Sequence, residues 1–201
     1  MLPDAPIASL DPCLDCPPDQ DLRRSQAAAR VEQAPAYFSI RTARPHDFDA
    51  LDRLLSRAYP ALLRADYDRE TLADILPLIA RANPRLLTSG TYYVAEGPGG
   101  ALVGAGGWTW VGPQGGVGPA DMAHIRHVVT HQDHTRAGIG SALMRHAMGA
   151  AKAAGARILH CQSTLTAAPF YRALGFDHIA DIELHLCPGV SFGAVHLRAK
   201  I

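Results

Sequence analysis

The sequence is poor in most of the features that announce a function. Its 201 residues hold four cysteines, Cys13, Cys16, Cys161 and Cys187, too few and too scattered to staple a small secreted fold. Cys13 and Cys16 have zinc-knuckle spacing, but no second CxxC supplies the other ligands that a structural zinc requires, so no metal site is expected. Neither sign of charge is in excess: 19 lysines and arginines balance 19 aspartates and glutamates. No overall basic field therefore draws the chain to nucleic acid or to a membrane surface. No apolar run approaches the roughly 20 residues of a membrane span, and the charged-then-apolar order of a signal peptide is missing. A reducing cytoplasm is the expected compartment. A Gly-Lys-Ser/Thr phosphate loop is absent as well.

What is present suits one packed domain with an extension: 48% apolar residues, 18 glycines and 15 prolines. Pro3, Pro6, Pro12, Pro17 and Pro18 crowd the first stretch, so 1–35 is expected to be a flexible extension, with a marginal helix at best over 21–34. The folded domain is expected over 36–201. "AYFSIRTA" (36–43) has strand composition. Phe48, Leu51, Leu54, Leu55 and Ala58 recur at helical spacing, as do Leu72, Ile75, Leu76 and Ile79, where Pro77 must end or kink the helix. "GPGG" (97–100) turns strand 91–96 into strand 101–110, and a third strand follows over 122–130. A helix after Gly138 stops at Gly155, a strand covers 156–163, "AAPFYRALGF" is a short helix, and a hairpin around "CPGV" closes the chain. The fold class is α/β: a mixed, mostly antiparallel central sheet of about seven strands, flanked by about four helices.

The chemistry concentrates in "VVTHQDHTRAGIGSAL" (128–143), where Gly138 and Gly140 immediately precede a helix. The N–H groups at a helix start have no intrahelical partner, and with the helix dipole they form an anion site, most often for phosphate. A dinucleotide fingerprint would need glycine where Leu143 stands.

This loop, followed about 30 residues later by "FYRALGF", resembles the GCN5-related N-acetyltransferase (GNAT) superfamily. That family's Q/R-x-x-G-x-G/A loop falls on Thr135, Arg136, Ala137, Gly138, Ile139 and Gly140, and its tyrosine mark on Tyr171. The order of elements agrees from 37 to 200. Thr135 departs from the usual glutamine or arginine. Leu159 and His160 stand where some peptide N-terminal acetyltransferases carry a carboxylate.

The resemblance implies an acetyl-CoA-dependent N-acetyltransferase acting on a primary amine of a small molecule or peptide, with no metal, nucleic acid or membrane partner. The backbone of Thr135 to Ser141 would hold the CoA diphosphate, with Arg136 either pairing a phosphate or solvated. Two parallel strands would splay, letting Val128, Val129 and Thr130 pair with the pantetheine arm, and an N–H near Val129 would meet the oxyanion. Tyr171, protonated at neutral pH, would be the general acid for the CoA thiolate, its alternative being a core tyrosine beside Phe170.

The base stays open among His124, His127, Glu183 and none. On a regular strand, His124 and His127 should face opposite sides. Trp108 and Trp110 share a face and either line an acceptor pocket, walled by the first two helices and 104–118, or pack beneath a helix. Two other functions compete: a catalytically silent acyl-CoA-binding module, and a protein-interaction domain using the N-terminal extension. Homodimerisation through the sheet edge or closing hairpin is left open.

Overall fold

Alternating apolar residues in seven short segments build one sheet, and the computed structural model describes it through residues 37–116 and 118–201. The expected extension over 1–35, with its Cys13–Cys16 pair and the helix over 21–34, lies outside the described residues. The strands are β1 (Ser39–Thr42), β2 (Tyr92–Glu96), β3 (Leu102–Thr109), β4 (Met122–Thr130), β5 (Ile158–Thr164), β6 (Asp177–Cys187) and β7 (Val190–Lys200). They lie in the order β1-β2-β3-β4-β5-β7-β6. Every neighbouring pair is antiparallel except β4 and β5.

The helices are α1 (Phe48–Leu63), α2 (Arg69–Ile79), α3 (Pro84–Leu87), α4 (Ile139–Ala153) and α5 (Ala168–Ala173). The expected order therefore holds, with the single-turn α3 added. Asn83 caps α3 and Pro84 opens it, but four residues are too few to show a helical period. Pro77 sits inside α2, whose last residue is Ile79.

The first helix buries the stripe that its spacing marked out, except for Phe48, which is exposed. On one face of the sheet, Leu51, Leu54, Leu55 and Ala58 of α1 pack against Tyr92, Val94, Ala105 and Val129. On the opposite face, Ile139, Leu143, Met144, Ala147 and Ala151 of α4 meet Trp108, Ile125, Leu159 and Leu197, and Ala168 and Tyr171 of α5 join the same cluster. Ile75 of α2 packs on Phe192 and Ala194 of β7. Gly104 lets α4 come this close: a Cβ there would fall 2.8 Å from Ile139 Cγ2 and 2.9 Å from Leu143 Cδ1. Trp108 is thus a core residue (3% exposed), and Trp110 stacks edge-on against it at the surface.

The first strand is tied down by ions as well as by packing. The Arg41 guanidinium grips both oxygens of buried Asp47 at 2.8 Å and donates through Nε to Glu96 at 2.6 Å, while the Arg44 N–H donates to Asp47 at 2.7 Å. The Arg41 hydrogen bond, stronger than the opposing effect of burial, holds the Asp47 carboxyl below the ordinary aspartate value. Asp47→Ala removes the two Arg41 bonds and the acceptor of the Arg44 N–H, while Arg41 keeps Glu96, so it should cost about 1–2 kcal/mol in urea denaturation. Because the folded-state pKa is depressed, the pair's contribution is complete above about pH 4 and is lost as pH falls through the folded value. A D47A stability curve that still loses the same increment on acidification would contradict this assignment.

One seam in the sheet is incomplete. β4 and β5 pair only at Met122–Ile158, Ala123–Leu159 and His124–His160. Beyond these pairs β4 runs on to Thr130 and β5 to Thr164 without meeting. The two parallel strands are splayed.

Candidate active site

The splay begins beside a bulge in β4. The β3–β4 register passes from Gly104–Thr130 and Ala105–Val129 to Gly107–Arg126, and His127 takes a left-handed φ of 42°. The buried Tyr92 hydroxyl donates to the His127 carbonyl at 2.8 Å, giving that turned-out oxygen a partner. The bulge also shifts side-chain phase: Ile125 belongs to the α4 side of the core and Val129 to the α1 side. The regular alternation expected from His124 through His127 therefore stops at the bulge.

Ladder phase decides which backbone groups face the gap. The His131 N–H donates to the Val103 carbonyl at 2.9 Å. Hydrogen-bonded pairs alternate in an antiparallel ladder, so Val129–Ala105 is a bonded pair and Thr130–Gly104 is not. Val129 thus spends its N–H on β3, and Val128 and Thr130, on either side of it, turn theirs toward the splay.

At the end of β4, the turn Gln132–His134 leads into the glycine loop. Arg136 and Gly138 both adopt left-handed backbone, at φ 65° and 80°. Gly138 is the N-cap of α4 and has no side-chain cap, and the first helical bond runs from the Ala142 N–H to the Gly138 carbonyl at 2.9 Å. Among the described residues, no hydrogen bond takes up the N–H of Gly138, Ile139, Gly140 or Ser141. Thr135 to Gly138 are exposed, while buried Ile139 anchors the helix start in the core. A Cβ on Gly138 would meet nothing within 4 Å. An open row of unmatched donors at a helix start fits a diphosphate.

α5 closes the other side of the gap. Phe170 packs against the start of α4, where a Cβ on Gly140 would lie 3.3 Å from Phe170 Cζ. Tyr171 is 5% exposed and packs edge-on against Phe170 and Phe176. Its hydroxyl faces the Cys161 thiol of β5. Burial first, and then the Cys161, Tyr59 and Tyr92 groups, push the Tyr171 pKa well above the ordinary tyrosine value. Burial likewise pushes Tyr59 and Cys161 up to about 12 each. Tyr59 and Tyr92 belong to the α1 side of the sheet, Cys161 and Tyr171 to the other. Cys161 raises the Tyr59 value, and Tyr59 and Tyr92 raise that of Tyr171, so these groups act on one another across the sheet. Sequence reasoning missed Tyr59, because a tyrosine on an amphipathic helix carries no signal of which groups lie across the sheet from it.

The base candidates separate. Glu183 is exposed on the edge strand β6, with β7 between it and β5, and it accepts the Ser191 hydroxyl. The structure does not bring it to the seam. Burial, then Arg126, lowers the His127 imidazole to about 4, so it is neutral at neutral pH. His124 lies level with the last β4–β5 pair. A recess of about 350 Å³ opens beside the glycine loop, lined by Arg53 and Arg57 of α1, Gly99 to Val103, His131 and His134. Among the described residues no helix is long and apolar enough to cross a membrane, and no cluster of three His, Cys, Asp or Glu side chains could hold a metal ion.

With this geometry in place, comparison with known proteins shows what the chain resembles. Residues 88–178 match the family described as the acetyltransferase (GNAT) domain. Over that segment the chain resembles a GNAT acetyltransferase domain. The matched segment runs from before β2 into β6 and so includes the splay, the glycine loop and α5. Solved structures agree on the fold of the whole sheet. A GCN5-related N-acetyltransferase from Rhodopseudomonas palustris superimposes with a TM-score of 0.64 at 20% identity, over 82% of this chain and 96% of that one. The PaiA N-acetyltransferase of Thermoplasma acidophilum, solved with coenzyme A, gives 0.61 at 15% identity over 82% and 99%. The N-acetylglutamate synthase of Neisseria gonorrhoeae, solved with coenzyme A and N-acetylglutamate, gives 0.56 at 19% identity over 83% of this chain and 36% of that one. No curated protein matches the sequence significantly.

Proposed function

We propose that this GNAT-like domain moves an acetyl group from acetyl-CoA directly to a primary amine of a small molecule or peptide. One observation carries the reading: unmatched donors at the start of α4 adjoin the only parallel seam of the described sheet, and that seam is open. The N–H groups of Gly138 to Ser141 would hold the diphosphate, with Thr135, Arg136 and Ala137 shaping the loop around it. Val128 and Thr130 would pair with the pantetheine amides as an added strand does, with Val129 keeping them aimed through its bond to β3. One of their N–H groups, fixed before substrate arrives, would stabilise the oxyanion that forms as the amine adds to the thioester carbonyl. Tyr171 would give its proton to the departing thiolate. Its raised pKa keeps that proton in place at neutral pH.

Calorimetric titration of the full chain with acetyl-CoA, and with free CoA alongside, tests the reading. Micromolar binding of both is the expected outcome. Absence of binding at millimolar ligand would leave a GNAT fold without its cofactor and would overturn the proposal.

A further inference from the structure

If acetyl-CoA enters with its diphosphate at α4, the amine must reach the thioester from the opposite face of the splay. The residues on that face follow from the packing. Ala123 and Ile125 of β4, Leu159 and Cys161 of β5, and Val195, Leu197 and Ala199 of β7 are all buried on the α4 side. His124 and Arg126, His160 and Gln162, and His196 and Arg198 therefore face the other way. Three histidines form a row across adjacent strands. The His160 Nδ1 and His196 Nε2 atoms are 2.6 Å apart, and the His124 ring centroid lies 5.8 Å from that of His160. Gln114, from the connection between β3 and β4, donates to the Gln162 side chain at 2.8 Å and reaches over the base of the gap.

Arg126 occupies a particular position here. It is the first side chain on this face beyond the last β4–β5 pair, His124–His160. It is half-buried, and its only hydrogen bonds among the described residues run from one guanidinium nitrogen to Thr109 Oγ1 at 3.0 Å and the Val111 carbonyl at 3.3 Å. No described carboxylate pairs with it, and its cross-strand neighbour is Gly107. A half-buried guanidinium with donors to spare is suited to a bidentate carboxylate. Val128 and Thr130 follow two and four residues later, so the spacing to the nearer free N–H is about 6 Å along the strand.

We propose that the acceptor amine also carries a carboxylate, held by Arg126 at the mouth of the splay, so that the substrates are amino acids or similar amino-carboxylates. This rests on the acetyltransferase reading and narrows its substrate class. In the transfer, the amine nitrogen bonds to the acetyl carbon and the carbon–sulfur bond breaks. The thiolate takes the Tyr171 proton, and the proton leaving the nitrogen passes to the His124–His160–His196 row. Burial and the neighbouring arginines lower the pKa of all three histidines, so the row is neutral and able to accept it.

The test pairs the common L-amino acids with their carboxamides as acceptors, using the full-length protein and following CoA thiol release and acetylated product. At least one free amino acid should be acetylated with a kcat/KM about 100-fold above its amide. Arg126→Gln should erase that preference by raising KM for the carboxylate, with the acetyl-CoA dissociation constant unchanged, and Arg126→Lys should restore part of it. Amides acetylated as well as acids, a preference that survives R126Q, or a panel in which no amino acid is acetylated would each overturn the inference. Calorimetry with acetyl-CoA separates the two levels. Binding without carboxylate preference removes this inference alone, whereas no binding removes the acetyltransferase reading and this with it.

Discussion

Tyr171→Phe is expected to slow acetyl transfer by about 100-fold or more while leaving the acetyl-CoA dissociation constant within about twofold. The substitution removes one oxygen and keeps the ring, so the edge-on contacts with Phe170 and Phe176 persist and the core has little reason to rearrange. The Cys161 thiol loses the hydroxyl it faces, but burial already holds it protonated with a pKa near 12. What disappears is the proton for the thiolate. A pH profile sharpens the test. The Tyr171 pKa lies above the ordinary tyrosine value, so wild-type kcat should show no alkaline decline from this group below about pH 10. Tyr59 supplies the necessary control, because it acts electrostatically on Tyr171 from the α1 side of the sheet. If Y171F turns over almost normally and Y59F does not, the acid has been misassigned by one side of the sheet. If neither variant is slowed, no tyrosine delivers the proton.

The fold was legible in the sequence because its local signals agree with one another. The helical stripe at Leu51–Ala58 needed only a face to bury, and the turns at Gly99, Gly155, Gly175 and Gly189 all take the left-handed backbone that glycine permits. The glycine loop was legible for the same reason, since donors at a helix start are a local property. The rest of the site is not local. The bulge at His127 is an ordinary "HVV" in the sequence, and the hydroxyl that satisfies its turned-out carbonyl arrives from β2. The choice of Val128 and Thr130 over Val129 depends on a single bond between His131 and Val103, which sets the phase of the whole ladder. Glu183 looked as eligible as His124 until the strand order placed β7 between it and the seam. Arg126, the residue on which substrate choice is proposed to turn, is set apart by where it stands, half-buried just beyond the last β4–β5 pair, and that placement is visible only once the chain is folded.

Gly138→Val is expected to raise the dissociation constant of CoA at least tenfold, by a route different from the obvious one. Bulk at this position meets no protein atom, since a Cβ at Gly138 would stand in open space. The backbone is what forbids valine: φ is 80°, a region that costs an L-residue roughly 1–2 kcal/mol, and a β-branched one more. α4 will not move to relieve that strain, because Ile139 and Leu143 are pressed into the space left by Gly104. The loop must give instead, and with it the aim of the donors at Gly138 to Ser141. A series separates conformation from size. Asparagine tolerates left-handed backbone better than other non-glycine residues, so Gly138→Asn should bind CoA more tightly than Gly138→Ala, although its side chain is the larger. Valine should be weakest of the three. If affinity follows side-chain volume instead, the phosphate approaches closer to Gly138 than the open backbone suggests. If all three bind like the wild type, the diphosphate is not held at this loop. The unmatched donors would then need another anion to explain them.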